Sequence, residues 1–279
     1  MDSHSQPSFS PPPFLPMGVP VIKRVNWGGL RTLYIKEVRR FLKVHTQTIW
    51  APAITTLLYL VIFTVAMGRS GRIIMGVSFA DFLAPGLIIM GMMQNAFANS
   101  SFSLLVGKIQ GTIVDYLLPP LSTGELLVGL TMGAVTRAIF VGVAMWLAML
   151  FWPGVHSIPR VPLAVLYFGI AGSLMLALLG LLTSIWAEKF DHAAVVSNFI
   201  VAPMALLSGT FYSIDKLSPL VASISRLNPF HAAISGFRYG FIGAADSSVL
   251  SDGLSLAAID LVLLVLCYIL LRSGWKLKN

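Results

Sequence analysis

Long apolar runs with few charges constrain this chain more than any other feature of its sequence. A helix needs about 20 apolar residues to cross the hydrocarbon core of a bilayer. Of the 279 residues, 56% are hydrophobic and only 11% are charged, whereas a soluble domain carries about 25% charged residues. The sequence therefore predicts an all-α membrane protein with six transmembrane helices, at residues 49–67, 82–106, 126–152, 161–186, 193–211 and 254–271.

The distribution of Lys and Arg predicts the orientation of these spans. Six spans place both termini on one side of the membrane, and that side carries twelve of the 19 basic residues. Cytoplasmic loops of membrane proteins are enriched in Lys and Arg. We therefore expect both termini in the cytoplasm. We interpret the net charge of +8 as a topology signal and expect no nucleic-acid partner.

Residues 1–25 differ in composition from the rest of the chain. They are rich in proline and have neither the basic nor the apolar region of a signal peptide, so we predict a disordered, partly extended tail. Residues 26–279 are predicted to form a single transmembrane domain. The one cysteine, Cys267, lies in an apolar run, which excludes an intrachain disulfide and argues against a metal site.

An amphipathic helix is predicted just before the first span. Apolar residues recur at helical spacing between residues 30 and 42, opposite a row of Lys and Arg side chains. Such a helix lies in the headgroup plane of the membrane. Glu37 projects close to its apolar face. It either pairs with Arg40, three residues on, or meets a partner protein, and the sequence allows both.

A short segment between spans two and three has an apolar surface although it is predicted to be cytosolic. It is helix-like from residue 112 to 118 and ends at Pro119. Thr112 can cap it, with Asp115 completing a capping box. Leu117 and Leu118 belong to the apolar surface. The segment either folds back on the bilayer or docks into the groove of a partner protein.

Residues 208–243 are too apolar for a solvated loop and too charged for a lipid-exposed helix. Ser218-Pro219 and Asn228-Pro229 each place a capping residue before a proline, which is typical of a helix start. We predict two short amphipathic helices on the outer face that dip part-way into the membrane. Broken helices occur at that depth only against protein or a water-filled cavity.

Several polar side chains fall inside the predicted spans. Arg137 and Asp260 are isolated charges in spans three and six, and an ion pair between them is one arrangement that would lower their cost in hydrocarbon. The other polar residues either line a path for a polar substrate or hydrogen-bond helices together. The pathway candidates, all in span two, are Gln94, Asn95, Asn99, Ser100 and Ser103.

Motifs for nucleotide binding, metal binding and catalysis are absent from the sequence. It contains no Gly-x-x-x-x-Gly-Lys-Ser/Thr phosphate loop, no His-Glu-x-x-His pair and no Gly-x-Ser-x-Gly nucleophile elbow. We therefore expect no catalytic, cofactor-binding or metal-binding residue on this chain.

Several stretches together resemble the permease subunit of type-2 ABC exporters, over about residues 25–275. The most specific are Leu207-Ser-Gly-Thr-Phe-Tyr-Ser-Ile, Leu227-Asn-Pro-Phe-His and Ser235-Gly-Phe-Arg-Tyr-Gly. The cytosolic segment, with Thr112 and Asp115-Tyr-Leu-Leu-Pro, looks like the coupling helix of that family. Asp115 stands where the family often has a glutamate. The surface helix with Lys36-Glu37 is similar to the family's N-terminal connecting helix.

This resemblance implies a homodimer of six-span subunits, surrounded by lipid in a bacterial cytoplasmic (inner) membrane. A separate ABC ATP-binding subunit would carry ATP and Mg²⁺, and this chain would hold no cofactor. The residues implied in ATPase coupling are Glu37, Arg40, Thr112, Asp115, Leu117, Leu118 and Pro119. The residues implied in a re-entrant exit gate are Ser208, Gly209, Phe211, Asn228, Pro229 and Arg238.

The predicted function is therefore that of an ATP-driven exporter permease that works by alternating access. The alternative is a secondary transporter driven by an ion gradient, which Arg137 and Asp260 suggest. Hydrophobic drugs, lipids and lipid-linked polymers all use permeases of the resembled kind. Arg226 and Arg238, on the outer face, are candidates for contacts with anionic lipid head groups.

Overall fold

The computed structural model describes residues 25–67, 73–152, 155, 158–214 and 218–277. The predicted N-terminal tail lies outside these ranges except for Val25. Some of the basic residues that contributed to the topology prediction also lie outside them, for example Arg69 and Lys216.

Helices make up most of the described structure. The α-helices are α1 (Trp27–Leu42), α2 (Ala51–Met67), α3 (Phe79–Ile109), α4 (Val114–Leu117), α5 (Thr123–Leu150), α6 (Pro162–Trp186), α7 (Phe190–Val196), α8 (Ala202–Leu206), α9 (Pro219–Leu227), α10 (Pro229–Ile242) and α11 (Val249–Ser273). Short π-helical turns, Thr46–Trp50 and Ser197–Val201, lead into α2 and α8. A two-stranded antiparallel hairpin of β1 (Ile73–Ile74) and β2 (Val77–Ser78) precedes α3. The predicted all-α class is confirmed.

The helices α9 and α10 begin where their capping–proline pairs predicted them. Ser218 precedes Pro219 at the start of α9. At the start of α10, the Asn228 side chain accepts a hydrogen bond from the backbone N–H of Phe230 at 3.0 Å, and Pro229 occupies the first helical position. A proline at this position costs no hydrogen bond, because the first N–H groups of a helix have no partner within the helix.

The helix α3 is the centre of the bundle. It packs against α5, α6 and α10. Most of its side chains are buried, among them Phe82, Leu87 and Met93. Gly180 lets α6 approach α3 closely, because a Cβ atom at this position would lie 2.5 Å from the carbonyl oxygen of Phe97. The lack of a side chain at Gly180 thus sets the distance between the two helices.

Four helical segments are long and apolar enough to cross a membrane: Thr46–Ala66, Thr123–Leu150, Pro162–Trp186 and Val249–Ser273. They correspond to predicted spans one, three, four and six, and they make the chain a multi-pass membrane protein. The helix α3 has 31 residues, or about 46 Å at 1.5 Å per residue, but it is more polar than these four. Spans two and five stay predictions.

The segment of the fifth predicted span ends earlier than expected. The apolar stretch runs from Phe190 to Leu206 rather than from 193 to 211. Beyond it Gly209 has φ of 80°, in the left-handed region that favours glycine. The chain turns there, so Ser208, Gly209 and Phe211 lie in a turn and not in a span.

The two ends of α3 contact different parts of the fold. Near its start, the guanidinium of Arg238 in α10 lies 3.9 Å from the ring centroid of Phe82. Near its end, Ser103 donates a hydrogen bond to Glu37 in α1. Phe82 and Ser103 are about 32 Å apart along the helix, from the rise per residue. The α10 and α1 contacts therefore mark opposite ends of the bundle.

The close approach at Gly180 predicts that Gly180→Ala destabilises the protein. The added methyl group would push α3 and α6 apart, at the upper end of the about 1–3 kcal/mol cost of overpacking. This exceeds the gain of about 1 kcal/mol in helix propensity. Thermal unfolding of the purified proteins in detergent measures the difference in unfolding temperature between Gly180→Ala and wild type.

Gly124→Ala is the matched control for this substitution. Gly124 lies in the first turn of α5, where a Cβ atom would meet open space. The control should unfold at or slightly above the wild-type temperature. Equal unfolding temperatures for Gly180→Ala and Gly124→Ala would contradict the close packing of α3 on α6.

Candidate functional site

The first candidate region is α4, a single helical turn. It covers Val114–Leu117 and is shorter than the predicted 112–118. Its N-cap residue is Ile113, which makes no side-chain cap. The backbone N–H of Asp115 donates to the carbonyl oxygen of Thr112 at 3.0 Å. The predicted capping box of Thr112 and Asp115 is therefore wrong, since backbone bonds close this turn.

The apolar side chains at α4 comprise one buried anchor, the half-buried Ile113 and three exposed residues. Tyr116 is buried, and the Nζ atom of Lys36 lies 3.6 Å from its ring centroid. Val114, Leu117 and Leu118 are 48%, 40% and 76% exposed, and we call these three residues the α4 knob. The exposed surface of this segment holds five of the seven residues implied in ATPase coupling: Thr112, Asp115, Leu117, Leu118 and Pro119.

The ionisation of Tyr116 is shifted by its surroundings. Burial, with the negative charge of Glu37 nearby, raises the pKa of Tyr116 to about 12. The hydroxyl therefore keeps its proton at physiological pH, and the Lys36 ammonium faces a neutral aromatic ring, as in a cation–π contact.

Glu37 does not belong to the exposed surface around α4. It is fully buried, and its Oε2 atom lies 2.9 Å from Arg40 Nη2 and accepts from Ser103 Oγ at 2.9 Å. Arg40 also donates to the carbonyl oxygen of Asn99 at 2.8 Å. The helix α5 covers the pair, since a Cβ atom at Gly133 would lie 2.6 Å from Glu37 Cβ. A direct contact of Glu37 with an ATPase is thus wrong for this conformation.

A second buried ion pair lies at the other end of α3. Nη1 of the fully buried Arg238 is 2.6 Å from Asp246 Oδ2. Its Nη2 atom donates to the carbonyl oxygen of Gly209 at 2.8 Å, and its guanidinium stacks on Phe82. Ser213 donates to the other Asp246 oxygen at 2.8 Å. The pair joins α10, the turn after α8 and the start of α3.

The head-group role predicted for Arg238 is wrong, because no part of its side chain is exposed. Arg226, on α9, is exposed. The other exit-gate residues hold the turn after α8 in place. The Asn228 amide donates to the carbonyl oxygen of Met204 at 2.7 Å. The ring of Phe211 lies 4.6 Å from that of Phe63 in α2, between centroids.

The pathway candidates in α3 separate into two groups. Asn99, Ser100 and Ser103 are buried between helices. Ser103 donates to Glu37, whereas Asn99 Nδ2 and Ser100 Oγ have no hydrogen-bond partner among the described residues. Gln94 and Asn95 are half-buried and line a groove of about 350 Å³ between α2 and α3. Of the five candidates, these two are accessible to a molecule outside the chain.

Arg137 and Asp260 do not form the ion pair that the sequence allowed. Nη2 of Arg137 donates to Asn95 Oδ1 at 2.9 Å. Asp260 lies on α11 in a different groove, beside Tyr167 of α6, and its Oδ1 atom is buried without a hydrogen-bond partner. The two charges therefore face different neighbours.

Sequence reasoning missed two of the groups that fix these regions. Asp246 follows Arg238 by eight residues, but the end of α10 lies between them, so helical spacing gives no signal for their contact. His231 joins the same end of the bundle. Its ring contacts the carbonyl oxygen of Ser208 at 3.2 Å and the hydroxyl of Ser247 at 3.4 Å. Tertiary packing alone brings these groups together.

The fold and these sites define a class of protein. The chain is a multi-pass helical bundle with a buried polar central helix, an accessible polar groove and an exposed apolar knob at one end. These are features of a membrane transport subunit. The family model for ABC-2 type transporters matches residues 29–242. The chain belongs to the ABC-2 type transporter family.

Individual relatives agree with this assignment. The inner membrane transport permease YadH of Escherichia coli (strain K12) is 33% identical over 255 residues, which cover 91% of this chain and 98% of YadH. Nodulation protein J of Rhizobium leguminosarum bv. viciae is 26% identical over 187 residues, covering 62% of this chain and 67% of that protein. The permease assignment made from the sequence motifs is confirmed.

The buried pair of Arg238 and Asp246 predicts unequal effects of single and double substitutions. Asp246→Ala leaves the arginine buried and uncompensated, which typically costs about 3–5 kcal/mol. The double variant Arg238→Met/Asp246→Ala removes both charges and should unfold at a higher temperature than Asp246→Ala. Thermal unfolding in detergent measures the unfolding temperatures of the single and the double variant.

Arg226→Met is the matched control, because Arg226 is exposed. It should change stability by no more than about 0.5 kcal/mol. The single variant Arg238→Met completes the cycle, and strictly additive effects of Arg238→Met and Asp246→Ala would contradict their pairing.

Proposed function

We propose that this chain is the permease subunit of an ATP-driven exporter in a bacterial inner membrane, bound to a separate ATP-binding subunit. The observation that carries the proposal is the exposed α4 knob on a chain whose sequence has no phosphate loop. The relative YadH is an inner membrane transport permease, which supports the location.

The α4 knob has the properties of a docking surface. Burial of one leucine side chain contributes about 1.5–3 kcal/mol, so three exposed aliphatic residues offer substantial binding energy. The buried Tyr116 anchors the turn against Lys36 of α1. Less conformational entropy is therefore lost when a partner binds to the turn. Folding back on the bilayer is less favourable, because it would carry the exposed carboxylate of Asp115 toward the membrane.

A movement of the knob has a direct route into the bundle. Tyr116 contacts Lys36 of α1, and the neighbouring Glu37 is bonded to Arg40 and to Ser103 of α3. A push on α4 by the ATPase is therefore transmitted to α1 and to the end of α3. In this account Glu37 and Arg40 act on coupling from inside the chain, by positioning α1 against α3.

Transport would follow from rigid-body motion of two copies of the chain. The outward face of α2 is exposed along its length, at Ile54, Leu58 and Ile62, and a second copy or lipid would cover it. We propose a homodimer of six-span subunits, each formed by residues 26–279. ATP-driven closure of the partner subunits would change how the two copies meet and so open the path on alternate sides.

The α4 end is assigned to the cytoplasm and the α9–α10 end to the outer face. The excess of basic residues on the side of the termini supports this orientation. The Arg238–Asp246 pair would then act as a structural clamp of the exit gate, because it fixes α10 to the turn at Gly209 and to the start of α3.

An ion-gradient transporter is the alternative. The observation that favours it is the buried Oδ1 atom of Asp260, which has no hydrogen-bond partner among the described residues. Transport into sealed vesicles separates the two functions. The exporter requires ATP and the partner ATPase, whereas the alternative works with an ion gradient alone and loses activity in Asp260→Asn.

The docking role of the knob predicts that Leu118→Asp weakens ATPase association by about tenfold or more, because a charge replaces a buried leucine at the interface. Co-purification of the ATPase with the affinity-tagged permease measures this. The amount of permease in the membrane fraction should not change, since the Leu118 side chain is 76% exposed and buries little surface within the chain.

Leu227→Asp is the matched control. Leu227 is an exposed leucine on α9, 85% exposed and at the opposite end of the bundle. This variant should retain the ATPase at the wild-type level. Retention of the ATPase by Leu118→Asp would refute the docking assignment.

A further inference from the structure

His231, on α10, is a buried histidine at the α9–α10 end of the bundle. It is 2% exposed and lies against the turn that follows α8. Histidine is the side chain whose charge ordinarily changes near physiological pH, and a buried ring is costly to charge. The contacts of this ring therefore decide whether it holds the turn in a way that depends on pH.

Both ring nitrogens of His231 face polar groups of other segments. Nδ1 lies 3.2 Å from the carbonyl oxygen of Ser208 in the turn. A carbonyl oxygen only accepts, so Nδ1 carries a hydrogen and donates it. In the neutral ring Nε2 then has no hydrogen, and it lies 3.4 Å from the hydroxyl oxygen of Ser247. The neutral form thus makes the bond that fixes the turn to α10.

The second nitrogen is next to a short row of hydroxyl and carboxylate groups. Ser247 donates to the carboxylate of Asp252 in α11, and its hydroxyl oxygen lies 3.0 Å from that of Ser235. Ser247 is half-buried and the neighbouring Ser248 is exposed, so this row reaches the surface of the chain. A proton from the medium therefore has a route along polar groups to Nε2.

Burial and nearby charges set the protonation of the ring. Burial lowers the pKa of His231 below its ordinary value. The Ser208 carbonyl oxygen and the carboxylates of Asp246 and Asp252 oppose this lowering of the pKa, and the positive charge of Arg238 adds to it. The ring is therefore uncharged at neutral pH, and it gains its second proton in the acidic range.

We propose that His231 is a proton-binding site that controls how firmly residues 207–213, here called the exit turn, are held against α10. The neutral ring holds the exit turn through Ser208. A proton taken up at Nε2 places a positive charge at a buried position. Acid therefore favours conformations in which the ring is exposed and the exit turn has moved off α10, because such conformations bind the proton more tightly. The inference rests on the proposed exporter function only where it treats this turn as part of an exit gate.

The other polar bonds between the exit turn and its neighbours use groups that do not titrate in this range. Arg238 donates to the carbonyl oxygen of Gly209, and the Asn228 amide donates to that of Met204 in α8, just before the turn. Neither an arginine nor an amide changes its charge between about pH 5 and pH 8. Acid therefore loosens the exit turn without releasing it completely, and Asn228 offers a comparison bond that is independent of pH.

Hydrogen–deuterium exchange of the backbone amides of the exit turn measures this effect. The full-length chain in nanodiscs is compared at about pH 5 and about pH 7.5, on either side of the ordinary histidine pKa. Each rate is divided by the intrinsic exchange rate at that pH. The wild-type exit turn should be protected about threefold or more weakly in acid, because the conformation that exposes the ring gains population there. Protection around α4, at the other end of the bundle, should be the same at both pH values.

His231→Asn and His231→Phe remove the titrating ring in two ways. The Asn amide can still donate to the Ser208 carbonyl oxygen, so its exit turn should be protected equally at both pH values. Phe cannot donate, so its exit turn should exchange faster than that of wild type at about pH 7.5, and with no added effect of acid. If His231→Phe fails to fold, His231→Asn still carries the test.

Asn228→Ala and His45→Gln are the matched controls. Asn228→Ala removes a bond beside the exit turn that does not titrate, so it should speed exchange at both pH values and leave the acid effect in place. His45 is an exposed histidine that precedes α2, and His45→Gln should behave as wild type does.

Equal protection of the wild-type exit turn at both pH values, stronger protection in acid, or an unchanged acid effect in His231→Asn would overturn the proposal. The result does not depend on the exporter assignment, because the chain is measured without an ATPase. An acid-sensitive exit turn on a chain that never associates with an ATPase would refute the exporter function and leave the proton site standing. An acid-insensitive exit turn on a chain that does associate would refute the proton site alone.

Discussion

Polar side chains are costly to expose to hydrocarbon, and the central helix α3 carries several of them. The fold encloses it with α5, α6 and α10 instead of exposing it to lipid. Three arginines from three other helices then contact it at three heights. Arg238 meets Phe82, Arg137 meets Asn95, and Arg40 meets the backbone of Asn99. The rest of the bundle is arranged around these contacts.

The three arginines differ in how their charges are balanced. Arg238 and Arg40, at the two ends, each have a buried carboxylate within 3 Å, at Asp246 and Glu37. Loss of one partner from such a pair is strongly destabilising, so both pairs fix the geometry of α3. Arg137, between them, is oriented by an amide and has no carboxylate among the described residues.

Features set by local sequence could be predicted, and features set by packing could not. The starts of α9 and α10 follow from Ser218-Pro219 and Asn228-Pro229, because capping and the fixed φ of proline act within a few residues. The long spans could be predicted because each is a continuous apolar run in the sequence. The burial of Glu37 depends on how closely α5 approaches at Gly133, and the partner of Arg238 lies beyond a turn. Those contacts require knowledge of how the helices pack.

Site-directed cross-linking to the ATPase tests the central claim most directly, that the α4 knob is the coupling surface. Cys267, the native cysteine, is buried, so a photoreactive maleimide would label an introduced cysteine with little background. The account predicts that Leu118→Cys cross-links to the ATPase in membranes and that Leu227→Cys does not. A cross-link from position 227, or none from position 118 in an intact complex, would contradict it.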